Sequence, residues 1–166
     1  MKEYSTKNIR NIALVSHSSA GKTILTEAFL HFTGATTRMG EINEGNTVAD
    51  FDEEEIRRGI SLYTSVIPIE YKNTKFNFLD TPGYTDFIGE MISAVAVADS
   101  AVVVIDAVSG FEVGTEIAWN YCDKFDLPRI LLINKMDREN ADYQKAFNSV
   151  QDFSEKRLIA VQLPWG

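Results

Sequence analysis

A chain of 166 residues with 45% apolar content and a net charge of −8 is long enough for one domain with its own core, and its composition is not that of a disordered chain. The acidic balance argues against autonomous binding of DNA or non-specific binding of RNA, which needs a basic surface, though not against docking on a ribonucleoprotein through other parts of a longer protein. A single cysteine, Cys122, excludes an intramolecular disulfide and fits a reducing cytoplasm, and no apolar run approaches the ~20 residues of a membrane helix.

The apolar run Ile9–Val15 predicts a strand that ends in the loop SHSSAGKT, Ser16 to Thr23. A helix is expected over Lys22–Phe32, with Ile24, Leu25, Ala28, Phe29 and Phe32 on its inner face. Thr33–Gly59 is polar and reads as a mobile switch region. Five acids fall among the six residues Asp50 to Glu55 and are expected to be a solvated loop. Leu62–Tyr71 looks like a strand that Pro68 confines to a sheet edge, paired through a Lys72–Thr74 turn with a strand at Phe76–Leu79. A helix over Phe87–Val97 is expected to turn Phe87, Ile88, Met91, Ile92 and Val95 inward. Ala101–Ile105 and Arg129–Ile133 read as buried parallel strands. Between them, Ile117, Ala118, Tyr121, Cys122 and Phe125 stripe a helix. Tyr143, Ala146, Phe147, Val150 and Phe153 stripe another, and Leu158–Leu163 reads as a final strand. This alternation predicts an α/β fold, a mostly parallel doubly wound sheet with one antiparallel edge strand, whose ligand sits beyond the carboxyl ends of the strands.

Four strings carry the chemistry. In Ser18-Ser19-Ala20-Gly21-Lys22-Thr23, backbone amides and a helix amino end suit a phosphate. Lys22 is placed to reach the β and γ phosphates, and the Thr23 hydroxyl to hold Mg2+. Ser16 occupies the first glycine of the strict phosphate-loop pattern, so a chance Gly-Lys-Thr at a helix start is the alternative. In RRGIS (Arg57–Ser61), a hydroxyl at Ser61 closes the polar stretch and can join Mg2+ when a γ-phosphate is present. In DTPG, Asp80 ends a strand facing the metal. Gly83 lets a backbone amide approach the γ-phosphate; a plain Pro-Gly turn is the alternative. In NKMD, Asp137 can accept two hydrogen bonds from guanine, and adenine would leave a carboxylate there unpaired at a cost of about 1–3 kcal/mol. Asn134 would support the loop and base, and the Lys135 stem would cover a base face. In this order the strings read as a guanine-nucleotide site for GTP or GDP with Mg2+, and the fold as a P-loop NTPase domain.

From Asn11 to the closing QLPWG, the chain resembles the amino-terminal part of the translation elongation factor G family. The likeness runs through SHSSAGKT, EINEGNTVADFDEEEIRRGIS, LDTPGYTDF, Pro128-Arg129 and NKMDR. The resemblance implies a GTPase stimulated on the ribosome and coupled to elongation. The alternatives are a ribosome-protection or recycling GTPase and a GTP-binding module with little turnover. It implies that residues 1–166 are an incomplete GTP-binding domain, truncated before a last strand and helix, with Leu158–Gly166 opening a family-specific insertion. It also carries nucleotide-site roles onto Lys22, Thr23, Ser61, Asp80, Gly83, Asn134, Lys135 and Asp137. Three positions depart from the pattern. Tyr84 stands where the family has a histidine that orients the attacking water; a phenol is neutral at pH 7 and a poor base. Tyr84, Lys22 and Gly83 are the catalytic candidates, and the tyrosine points to a paralogue of the elongation factor. Ser19 replaces an aspartate that can hold a monovalent cation. Ser18 replaces one apolar wing of a gate whose other wing, Ile60, is kept. His17 and His31 are the remaining histidines; a structural role is expected for the first, and a surface or packing role for the second.

Overall fold

The computed structural model describes residues 2–165. Five strands and five helices follow in chain order: β1 (Ile9–Val15), α1 (Lys22–Phe32), α2 (Glu53–Arg58), β2 (Ser65–Tyr71), β3 (Thr74–Asp80), α3 (Ile88–Val97), β4 (Ser100–Asp106), α4 (Val113–Lys124), β5 (Arg129–Asn134) and α5 (Tyr143–Phe153). The sheet order is β2-β3-β1-β4-β5. β1 runs parallel to both β3 and β4, β4 is parallel to β5, and β2 is antiparallel to β3. Pro68 sits on that antiparallel edge strand, where a missing amide costs no ladder bond on the open side. Lys72 and Asn73 both take positive φ in the tight turn that returns the chain into β3.

Register brings the functional strings to one end of the sheet. Leu14 pairs with Asp80, Val15 with Val103, and Asp106 with Asn134, so β1, β3, β4 and β5 all finish there. β2 runs the other way and begins there, with Ser65 opposite Asp80. Antiparallel pairing thus delivers Ser61, four residues before β2, to the edge at which the parallel strands leave. Alternation along β1 sends Ala13 and Val15 into one core with Met91, Val95, Val103, Ile105, Ala118, Cys122 and Val150, while Leu14 faces a second core with Leu30, Ala49, Ile67 and Phe78. Cys122 is fully buried, and burial pushes its thiol up to about 11, as befits a small core residue.

Five expectations are corrected. The buried face of α1 is Lys22, Thr23, Thr26, Glu27 and Leu30, and Phe32 is 73% exposed against Tyr71. The helix begins beneath a polar loop, so its polar first turns are the covered ones. In α4, Trp119 is buried, whereas Phe125 forms the C-cap and lies exposed. β5 is an edge strand, not a strand covered on both faces, and Ile130 is 67% exposed. No strand forms at Leu158–Leu163, where Ile159 and Val161 are open to solvent; the last residue of the Leu158–Gly166 segment lies outside the described residues. Finally, Asp50 to Glu55 is not a solvated loop. Asp52 and Glu55 form a capping box that starts α2, worth about 1 kcal/mol, and Asp50 and Glu55 are buried.

Candidate functional site

The loop between β1 and α1 folds through two left-handed residues, Ser19 (φ +62°) and Gly21 (φ +101°), the second being the N-cap of α1. A side chain at Gly21 would collide with the Asn134 amide. Ser16 is absent from the left-handed set, so no glycine is needed there. Its hydroxyl donates to the His17 carbonyl (2.8 Å) and accepts from Lys22 Nζ (3.0 Å). Lys22 Nζ also donates to the His17 carbonyl (3.2 Å). Burial lowers this ammonium to about 8, against the opposing pull of Asp80 and Asp50. His17 is structural. Its amide donates to Thr115 Oγ1, its Nδ1 accepts from the Gly114 amide, and its Nε2 lies 3.6 Å from Glu112, which docks the loop onto the start of α4. His31 lies exposed near the end of α1.

Beside Lys22, four oxygen-bearing residues converge. The Thr23 and Ser61 hydroxyls are 3.3 Å apart, and Ser61 Oγ donates to Asp50 Oδ1 at 2.7 Å. Asp80 is 1% exposed, and neither of its carboxylate oxygens has a hydrogen-bond partner among the described residues. Burial pushes its carboxyl up to about 7, although the Lys22 ammonium pulls it down. A buried carboxylate without a hydrogen-bond partner, close to Thr23 and, through it, to the Ser61 hydroxyl, is a donor set for a hard cation that takes oxygen ligands. Among the described residues no group of three or more His, Cys, Asp and Glu could hold a metal by itself. A carboxylate and two hydroxyls are ligands of the kind Mg2+ takes, and it commonly completes its shell with water and substrate phosphates.

Two buried glutamates shape the polar stretch around this corner. Glu27 of α1 accepts from the amides of Gly40 (3.0 Å) and Val48 (2.6 Å). Glu55 accepts from the amides of Leu62 (2.9 Å), Tyr63 (3.1 Å) and Asp52 (3.2 Å). The segment preceding Ser61 is thereby tied to α1 at one side and to the chain that follows RRGIS at the other. Sequence reasoning missed Glu27, Asp50 and Glu55. The one usable signal was Glu27 at four residues from Thr23, which puts both on one helix face.

Gly83 is pressed against the phosphate loop. A Cβ there would lie 2.6 Å from Ser18 Cα, 2.7 Å from Ser18 N and 2.7 Å from Lys22 Nζ. Tyr84 follows, 41% exposed, and with Ser18, Ser19, Gly21, Lys22 and Thr23 it lines a cavity of about 490 Å3 that also takes in Asp50, Ile60, Ser61 and Lys135. At the far end, Asn134 Nδ2 donates to the Ala20 carbonyl (3.0 Å). Lys135, itself left-handed at φ +60°, donates to the Ser19 carbonyl and pairs with Asp106 Oδ2 at 2.7 Å. Partial burial raises the Asp106 carboxyl, but Lys135 and the Val108 and Ser109 amides outweigh it and hold the group below its ordinary range. Asp137 is exposed and lies outside the lining of that cavity.

Residues 7–162 match the family described as the elongation factor Tu GTP binding domain. The chain is 38% identical over 162 residues to elongation factor G of Granulibacter bethesdensis, covering 98% of this chain and 23% of that one. It is 39% identical over 163 residues to mitochondrial ribosome-releasing factor 2 of Drosophila melanogaster, covering 98% and 22%. A solved structure from Thermus thermophilus superposes with a TM-score of 0.84 at 39% identity, covering 87% of this chain and 22% of that one. The chain thus spans less than a quarter of the length of these relatives.

Proposed function

The chain belongs to the elongation factor Tu GTP-binding domain family, and on that premise we propose that it is the nucleotide-binding part of a ribosome-stimulated GTPase working in translation. The observation that carries this reading is the buried Asp80 carboxylate, without a hydrogen-bond partner among the described residues, close to Thr23 and to the buried Lys22 ammonium. Such a group is a standing cost unless a cation and its phosphates arrive.

In this mechanism Lys22 leaves Ser16 and the His17 carbonyl to reach the β and γ phosphates, where its charge offsets that developing in transfer. Thr23, Ser61 and Asp80 would hold Mg2+, which would supply charge neutralisation for the phosphates. Gly83, with no side chain, brings its amide toward the γ-phosphate, and Tyr84 at the cavity wall orients the attacking water without serving as a strong base. Asn134 stiffens the base loop, Lys135 covers the base, and Asp137 reads the guanine edge. A cytoplasmic location is part of this proposal, on the likeness to bacterial elongation factor G, while the similar Drosophila melanogaster factor is mitochondrial; no helix among the described residues is long and apolar enough to cross a membrane. Leu158–Gly166 is proposed as the start of a family-specific insertion and Thr33–Gly59 as the switch region.

One observation favours a second reading, a GTP-binding module with little turnover. Ser18 and Tyr84 line the same cavity as Ile60, so polar side chains share the wall that would face an attacking water. Turnover of GTP by the protein, measured with and without ribosomes, separates the two. Stimulation by an order of magnitude or more is expected, and equal rates would leave only the binding module.

A further inference from the structure

Ser61 raises a problem of orientation. Its hydroxyl carries one proton and two lone pairs, and to ligate a cation it must turn a lone pair inward and its proton away. A threonine at such a place is stiffened by its branched Cβ, whereas serine has three open rotamers. Something else must choose the rotamer and accept the proton.

Asp50 is built to do so. Its Oδ1 accepts the Ser61 proton at 2.7 Å, short enough for a charge-assisted bond, while the Thr23 hydroxyl lies 3.3 Å from Ser61 Oγ on the other side. The aspartate is 6% exposed and fixed through its backbone. Its amide donates to Thr47 Oγ1 (3.3 Å), and the neighbouring Ala49 carbonyl accepts from Ser65 Oγ (2.6 Å) at the start of β2. It lines the same cavity as Thr23 and Ser61. A buried carboxylate that serves one serine hydroxyl is costly in a ligand-free chain, and it also places a second negative charge close to Asp80.

We propose that Asp50 is a positioning residue that aims the Ser61 oxygen at the cation, acting only through Ser61 and therefore only when the triphosphate is bound. This deepens the functional reading above and rests on it. Outer partners of this kind typically tune metal affinity by about 10–100-fold.

The test is the Mg2+ dependence of binding for two probes, a fluorescent non-hydrolysable GTP analogue and fluorescent GDP. In Asp50→Ala the Mg2+ midpoint for the triphosphate should rise about tenfold, with the diphosphate midpoint unchanged. Asp50→Asn keeps a neutral acceptor and the same shape, so it should recover most of the loss, to a rise of about threefold. In a Ser61→Ala background, replacing Asp50 should add nothing. If Asp50→Ala does not bind the diphosphate, Asp50→Asn decides. A wild-type triphosphate midpoint, or equal shifts for both probes, would overturn the proposal. No Mg2+-dependent binding of either probe by the unaltered chain would instead defeat the functional reading itself, and the inference with it.

Discussion

Asp80→Asn is expected to make the ligand-free chain more stable while removing its Mg2+-dependent nucleotide binding. The Asp80 carboxyl is raised from 3.8 in an unfolded chain to about 7 in the fold. Between those values the folded state keeps a proton that the unfolded state has released, so stability is fully present below pH 4 and declines as pH rises through 7. Lys22 runs the other way. Its ammonium is lowered from 10.5 to about 8, so its desolvation cost persists below pH 8 and is relieved only toward 10.5. The ligand-free chain therefore has a stability trough near pH 7–8. An amide in place of Asp80 abolishes the first slope. The shift of about three pKa units sets an upper bound near 4 kcal/mol. The buried amide still lacks partners and Lys22 loses its counter-charge, so a net gain of about 2 kcal/mol, or roughly 5 °C in Tm at pH 8, is expected. Thermal melts of both chains at pH 5 and pH 8 without nucleotide check this. A variant that melts lower at pH 8 would show that Asp80 already has a stabilising partner.

The second large effect is expected from Gly83→Ala. One methyl group would intrude to within 2.7 Å of the Ser18 backbone, which cannot swing aside as a side-chain end does. The loops must part, at about 1–3 kcal/mol of strain. Their separation would withdraw the Gly83 amide from the γ-phosphate position proposed above and push on Lys22 Nζ. Loss of one preorganised donor of this type costs about 10²–10³-fold in turnover. Diphosphate affinity should fall less, because on the proposed reading the Gly83 amide serves the terminal phosphate, and a diphosphate would feel the change only through the displaced Ser18 and Lys22. Single-turnover GTP hydrolysis beside GDP titration checks the split, and equal losses in both would mean that the glycine serves only to let the loop fold.

Much of the fold was legible because each functional string ends an apolar strand or opens a helix, so strand–loop–helix order and loop chemistry support one another. The antiparallel edge was legible from Pro68 and the Lys72-Asn73 turn. Buried acids were not. In one dimension Asp50, Glu55 and Glu27 look like solvated charges; in the fold the two glutamates are held by backbone amides up to 21 residues away, at Gly40, Val48, Leu62 and Tyr63, and Asp50 holds the Ser61 hydroxyl. Nor can an apolar run tell whether one face or two is covered, which is why β5 read as buried and proved an edge. Leu158–Leu163 has strand-like composition but forms no ladder, although β5 presents an open edge. The phosphate loop itself was legible despite Ser16, since φ at that position needs no glycine.

The claim on which everything rests is that Asn134, Lys135 and Asp137 recognise guanine while Lys22, Thr23 and Asp80 hold its phosphates with Mg2+. It is tested most directly by loading the chain with a fluorescent GDP analogue in Mg2+ and competing with unlabelled GDP and then ADP. Displacement by GDP alone is predicted, with chelation of Mg2+ weakening the complex. Equal displacement by ADP would contradict the assignment of the base loop.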